Sequence, residues 1–301
     1  MNDRSFYKRS KNFLFLLLPI VAISLWAQSN EDVIQGIRAP EHSETFRILT
    51  ESEAHAHHTT LRDQIKEKLS ESRLEKEQID LIADAFSKVM SGVPLGTFQM
   101  TEVAEQTDLE TDEHTGKFGV LESGYVENME TGSKTHFADA STPFYIEHTL
   151  PFDFKRSRIT AQSQSEVTFR FVTDTDLKIE NAPSELVDAL VVQKKMRWAM
   201  ELTIDKDNRT LKRASFYLDR PIRRRFLYKL DTFRTTFDFE FIEKCNCMGV
   251  SESRFEVSGS ALFVGRITYR ATETYSDVEC EAPVRYLLPI GHSFEGSEIR
   301  Y

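Results

Sequence analysis

From Met196 to Tyr275 large apolar residues recur with the period of β-strands, and no other stretch of the chain restricts its fold so tightly. Met196, Trp198, Met200, Leu202 and Ile204 take alternate positions, with Arg197, Glu201 and Thr203 between them. That is the period of a strand with one buried face. Asp205-Lys206-Asp207-Asn208 is a turn cluster, and Thr210 to Leu218 then returns Phe216 and Leu218 on one parity, predicting an antiparallel hairpin. After Pro221, Phe226, Tyr228 and Leu230 fall on even positions, whereas Phe233, Phe237, Phe239 and Phe241 are odd. One extra residue exchanges the two faces of a strand, so a bulge, a bend or a tight turn is expected near Asp231-Thr232. Each of these curves the sheet. Phe255, Val257, Phe263, Ile267 and Tyr269 continue the pattern, with Gly259 expected to separate two strands.

A sheet this rich in phenylalanine needs a cover. Residues 59–92 supply one: Leu61, Ile65 and Leu69 form one helical stripe, and Ile79, Ile82, Phe86, Val89 and Met90 form another. Ser72-Arg73-Leu74-Glu75 reads as a capping box opening the second helix, and Gly92 with Pro94 marks its end. Strands begin before residue 170, since Val167, Phe169 and Phe171 alternate with Thr168 and Arg170. Asn181-Ala182-Pro183-Ser184-Glu185 starts a short inserted helix with Leu186, Val187, Leu190 and Val191 on one face. The fold class is therefore α+β: a long, curved antiparallel sheet, or half-barrel, covered by N-terminal amphipathic helices and one short inserted helix. Residues 93–280 form the β domain and 281–301 a C-terminal tail.

The N-terminus predicts an address. Arg4, Lys8, Arg9 and Lys11 precede an apolar run from Phe13 to Trp26, and Ala27-Gln28-Ser29 supplies small residues for cleavage. Residues 1–27 thus read as a secretory signal, too short for a membrane-spanning helix, and residues 28–58 as a flexible lead-in. The expected location is periplasmic or secreted. In an oxidising compartment Cys280 is expected to pair with either Cys245 or Cys247, leaving one thiol. His55, His57 and His58 sit close together in sequence, but a polar lead-in gives them no frame for a metal site.

The net charge of −10 argues against nucleic acid or an anionic membrane as a general partner. Acidic residues gather between Thr101 and Gly132 without the order of a calcium loop, and basic residues gather in the second half. Neither a nucleophile elbow, a zinc-peptidase helix nor a nucleotide-binding glycine loop is present. His114, His136, His148 and His292 are isolated. An enzyme is accordingly the weaker expectation, and no metal or other cofactor is anticipated. Tyr301 ends the chain as an aromatic residue ends outer-membrane barrels, but Ile299, Ser297 and Glu295 keep the alternation only in part.

A signal, an amphipathic helical segment, a long meander containing the Met196–Leu218 hairpin and a closing segment from Leu262 to Asp277 together resemble the lipoprotein-carrier (LolA/LolB) fold. The resemblance covers residues 60 to 280 by element order, with no diagnostic motif and no lipobox. It implies a curved half-barrel plugged by helices, with a concave apolar surface able to hold acyl chains. Trp198, Met200, Phe216, Phe226, Phe237, Phe239 and Phe263 are the candidate lining residues, each of which reads equally well as plain core. The expected ligand is a lipid or another apolar small molecule. The alternative is a structural envelope protein that binds a protein partner and no ligand.

Overall fold

The computed structural model describes residues 45–89, 92–107, 111–137, 140–144, 154–175, 196–224, 228–261 and 265–290. Its main sheet is two meanders joined edge to edge. The first consists of β3 (Gly96–Gln106), β4 (Asp112–Val120), β5 (Tyr125–Asn128) and β6 (Lys134–His136). The second runs through β7 (Arg158–Gln162), β8 (Glu166–Thr175), β9 (Met196–Asp205), β10 (Thr210–Leu218), β12 (Tyr228–Ile242), β13 (Cys247–Ala261) and β14 (Gly265–Cys280). The spatial order is β6-β5-β4-β3-β14-β13-β12-β10-β9-β8-β7, with the short β11 (Ile222–Arg224) paired to β12. All these pairings are antiparallel. The sheet is curved but unclosed, with β6 and β7 at its edges, which agrees with a half-barrel and departs from the closed barrel of an outer-membrane protein.

Of two helices, α1 (Glu51–Leu69) packs against α2 (Lys76–Val89), β1 (Thr45–Thr50) and β15 (Arg285–Ile290), and α2 covers one face of the main sheet. Leu81, Ile82, Ala85, Phe86 and Val89 form the buried stripe of α2, and this helix packs over β9, β10 and β13. On the same face lie Met200, Leu202 and Ile204 of β9 and Phe169 and Phe171 of β8, each no more than 1% exposed, with Phe171 meeting Phe154 edge-on. Burying a side chain of this size stabilises by about 1.5–3 kcal/mol. Polar contacts hold α2 in place. Lys88 Nζ donates to the carbonyls of Asn208 (3.0 Å) and Arg209 (2.9 Å) in the β9–β10 turn, and Arg209 Nη1 pairs with Asp84 Oδ2 at 2.6 Å.

Several elements differ from expectation. The first helix starts at Glu51, and a strand, β1 (Thr45–Thr50), precedes it, so residues 45–58 of the stretch expected to be a flexible lead-in are strand and helix. The capping box is formed by Thr50 and Glu53. At the second helix, Ser72 Oγ instead accepts from the amide of Leu74, and Gln78 Oε1 accepts from the amide of Glu75. The start of the expected tail is the strand β15 (Arg285–Ile290), which lies between β1 and β2 (Val93–Pro94) in a second, three-stranded sheet. β13 runs unbroken through Gly259, where an added Cβ would lie 2.5 Å from the carbonyl oxygen of Lys229. The glycine therefore marks a close approach of two strands rather than a strand end. The signal segment, the short inserted helix, His148, His292, Phe226 and Phe263 lie outside the described residues.

The predicted parity switch is a bulge. The β12–β13 register slips between Leu230 and Thr232 while β12 continues through it. A second slip, between Asp238 and Phe239, bends the same pair again. One disulfide, Cys245–Cys280, ties the β12–β13 connection to the end of β14 with its Cα atoms 5.2 Å apart. Cys247 is free and buried, and burial pushes its thiol up to about 12, so it is inert as a nucleophile at neutral pH.

Candidate apolar ligand site

Directly opposed residues of antiparallel strands share a face, so the register lays out the helix-covered side of the sheet row by row. One row comprises Phe237, Ser253, Glu273, Glu102 and His114, from β12 across to β4. The next comprises Phe216, Thr235, Phe255, Ala271 and Ala104. A third comprises Phe233, Val257, Tyr269 and Gln106. Trp198 pairs with Leu218 on the same face. Apolar rings thus collect over β9, β10, β12 and β13, and the rows turn polar toward β14 and β3.

The rings touch in sequence. Trp198 meets Phe233 edge-on at 5.3 Å between centroids, Phe233 meets Phe255 edge-on at 5.3 Å, and Phe255 tilts against Tyr269 at 6.1 Å. A shorter branch runs from Phe216 to Phe237 (6.3 Å) and on to Phe239 (6.4 Å). Edge-to-face geometry is the favoured aromatic arrangement and holds the rings in one orientation. Unlike Phe169 or Met200, five members of this stripe stay only half-buried: Trp198, Phe216, Phe233, Phe237 and Phe255. Leu218, Ile222 and Leu230 extend the apolar surface past Trp198 and Phe233.

The polar end is a carboxylate cluster. Glu273 accepts from Ser141 Oγ (2.6 Å), Ser253 Oγ (2.8 Å) and Tyr275 OH (2.7 Å). Glu102 is its direct partner across the β3–β14 ladder. Burial first, and then the charge of Glu273, raises the carboxyl of Glu102 above its ordinary value of 4.5. Burial likewise raises the hydroxyls of Tyr269 and Tyr275, with the nearby glutamates adding to it. The floor therefore grades from partly buried aromatic rings to a carboxyl group that holds a proton more readily than a surface glutamate does.

Of the seven residues singled out from sequence, the structure places Trp198, Met200, Phe216, Phe237 and Phe239 on this one face. Met200 and Phe239 are packed into the core, with 0% and 8% exposure, while the other three belong to the half-buried stripe. Sequence reasoning left out Phe233 and Phe255, which occupy the middle of the ring chain. His55, His57 and His58 are carried by α1, and His58 Nε2 lies 2.9 Å from Ser87 Oγ on α2. Among the described residues, no group of three or more His, Cys, Asp and Glu is placed to hold a metal ion. No described helix is long and apolar enough to cross a membrane.

No protein-family model matches the chain, and no curated protein does. Among solved structures it is similar to the LolA superfamily protein NE2245 from Nitrosomonas europaea, with 12% identity and a TM-score of 0.32. That match covers 67% of this chain and 92% of the other. It is also similar to the ywiB protein from Bacillus subtilis, with 6% identity and a TM-score of 0.13, over 61% of this chain and 91% of the other.

Proposed function

We propose that this is a non-catalytic extracytoplasmic protein that binds a lipid, or another apolar molecule with a small polar head, along the stripe from Trp198 to Phe255. The observation that carries the reading is the contrast within one sheet face. Phe169, Phe171 and Met200 are fully buried, whereas Trp198, Phe216, Phe233, Phe237 and Phe255 keep part of their rings open. An acyl chain laid on those rings loses its contact with water at about 0.8 kcal/mol per buried methylene. The head group falls toward Glu102 and Glu273, where a hydroxyl or an amine finds carboxylate acceptors. The disulfide, together with the signal-like N-terminus, supports a location outside the cytoplasm.

The chain has two tryptophans, Trp26 and Trp198. With Trp26 replaced by phenylalanine, Trp198 becomes the single indole and reports directly on the stripe. Titration with a fatty acid brominated near the middle of its chain is expected to quench Trp198 saturably. The non-brominated acid should compete. Unquenched emission at saturating lipid, together with the absence of lipid in solvent extracts of natively purified protein, would leave the ring chain as ordinary packing.

A further inference from the structure

We propose that the end of the sheet formed by β11 and the adjoining ends of β12, β13 and β14 docks onto an anionic phospholipid bilayer. The register places Arg223, Lys229, Ser260 and Arg266 in a single row across these four strands. The neighbouring row is Ile222, Leu230, Gly259 and Ile267. Ile222 packs with Trp198 and Phe233, so that row faces the aromatic stripe and the cationic row lies on the opposite side of the sheet. Arg220, Arg223, Gly265 and Arg266 are exposed. Lys229 is paired with Asp231, and Arg220, Arg223, Lys229 and Arg266 gather at this end.

Local composition is the opposite of the chain's own. The protein carries a net charge of −10, yet no Asp or Glu occurs between Arg220 and Leu230 or between Val257 and Thr272. Positive charge confined to one end of an acidic molecule orients that end toward a negative surface and turns the rest away. An anionic bilayer suits this end: lipid phosphates match the exposed Arg220, Arg223 and Arg266, and the half-buried Leu230 and Ile267 beside the cationic row border the acyl boundary. Docking of this kind does not require that the stripe take a ligand, so it stands or falls separately from the proposed function.

Sedimentation of the full chain with large unilamellar vesicles tests it. Binding is expected to vesicles of phosphatidylcholine mixed with phosphatidylglycerol, to fade at high salt, and to be weak on phosphatidylcholine alone. Each cation near an anionic surface contributes roughly fivefold to affinity, so combined Arg220→Glu, Arg223→Glu and Arg266→Glu should weaken it by roughly a hundredfold or more. Reversal of the same number of charges at the other end of the sheet, by Lys206→Glu, Lys212→Glu and Lys244→Glu, should weaken it far less. The milder pair Arg220→Gln and Arg266→Gln gives a readout should the triple variant lose its native circular dichroism. Equal binding to both vesicle types, equal losses in the two triple variants, or capture of duplex DNA without vesicle binding would each overturn the proposal.

Discussion

Truncation of Phe233 separates a binding surface from a core. Its ring is half-buried and meets Trp198 and Phe255 edge-on, each at 5.3 Å. Such ring pairs contribute about 0.5–1.5 kcal/mol apiece beyond area burial, but a partly solvated ring leaves no sealed cavity when it is removed. Phe233→Ala should therefore destabilise by roughly 1–2 kcal/mol. Phe169, at 0% exposure in the core, offers the comparison, because Phe169→Ala opens a closed void and should cost about 3–5 kcal/mol.

Binding should rank the two variants the other way round. A guest lying on the stripe loses contact with roughly two methylenes' worth of ring at Phe233, about 1.6 kcal/mol or roughly tenfold to twentyfold in Kd. At Phe169 the guest has nothing to lose directly. Urea unfolding gives the stability order, and Trp198 quenching by brominated fatty acid gives the affinity order. If Phe233→Ala unfolds as easily as Phe169→Ala and leaves quenching unchanged, Phe233 is core and the stripe is not where an apolar guest lies.

Two further outcomes follow from the geometry. The Cys245–Cys280 bond closes a separation of 35 residues, so Cys245→Ala with Cys280→Ala should cost about 4 kcal/mol in urea unfolding; Cys247, buried and raised to about 12, should stay unalkylated by iodoacetamide until the chain unfolds. Glu102 holds its proton more tightly folded than unfolded, so its contribution favours the fold at low pH and is lost as pH rises from 4.5 through the raised folded value. Glu102→Gln should therefore raise the urea midpoint at neutral pH more than at acidic pH, and an equal shift at both would refute burial and Glu273 as the cause.

Much of the sheet was legible because one of its faces is buried. Met196 to Ile204 and Thr210 to Leu218 repeat every second residue, and that spacing survives in β9 and β10 because α2 presses on their apolar side. The bulge between Leu230 and Thr232 was equally readable, since it exchanges which residues of β12 face inward. Gly259 was not, because its reason lies in the carbonyl of Lys229 on the neighbouring strand, and a single sequence does not reveal which atoms approach a glycine. The first helix was placed too late because its opening turns hold mostly polar residues, with Ala54 the only buried one before Leu61. Its capping pair, Thr50 and Glu53, was present in the sequence without an apolar stripe to draw attention to it. β1 and β15 pair residues at opposite ends of the described chain, a contact that no local pattern encodes.

The same bulge decides which way Phe233 faces. Before it, Leu230 on an even position faces inward opposite Gly259; after it, Phe233 on an odd position faces inward opposite Val257. A reader who carries either parity across Asp231 assigns one side of the bulge to the wrong face. If the strand ran through Asp231 without the bulge, Phe233 would point to the outer surface and the contact from Trp198 to Phe255 would have no middle member. The bulge also lets β12 hold Lys229 outside while Leu230 and Phe233 both face inward, so a single backbone irregularity sets the aromatic stripe and the cationic row on opposite faces at the same end of the sheet. Deletion of Asp231 removes the extra residue and leaves Leu230, Thr232 and Phe233 in regular alternation opposite Gly259, Ser258 and Val257, so Trp198 emission should stay that of a packed indole and adsorption to anionic vesicles should not weaken. A move of Trp198 emission toward that of a solvated indole, or a loss of adsorption, would refute this account of the bulge.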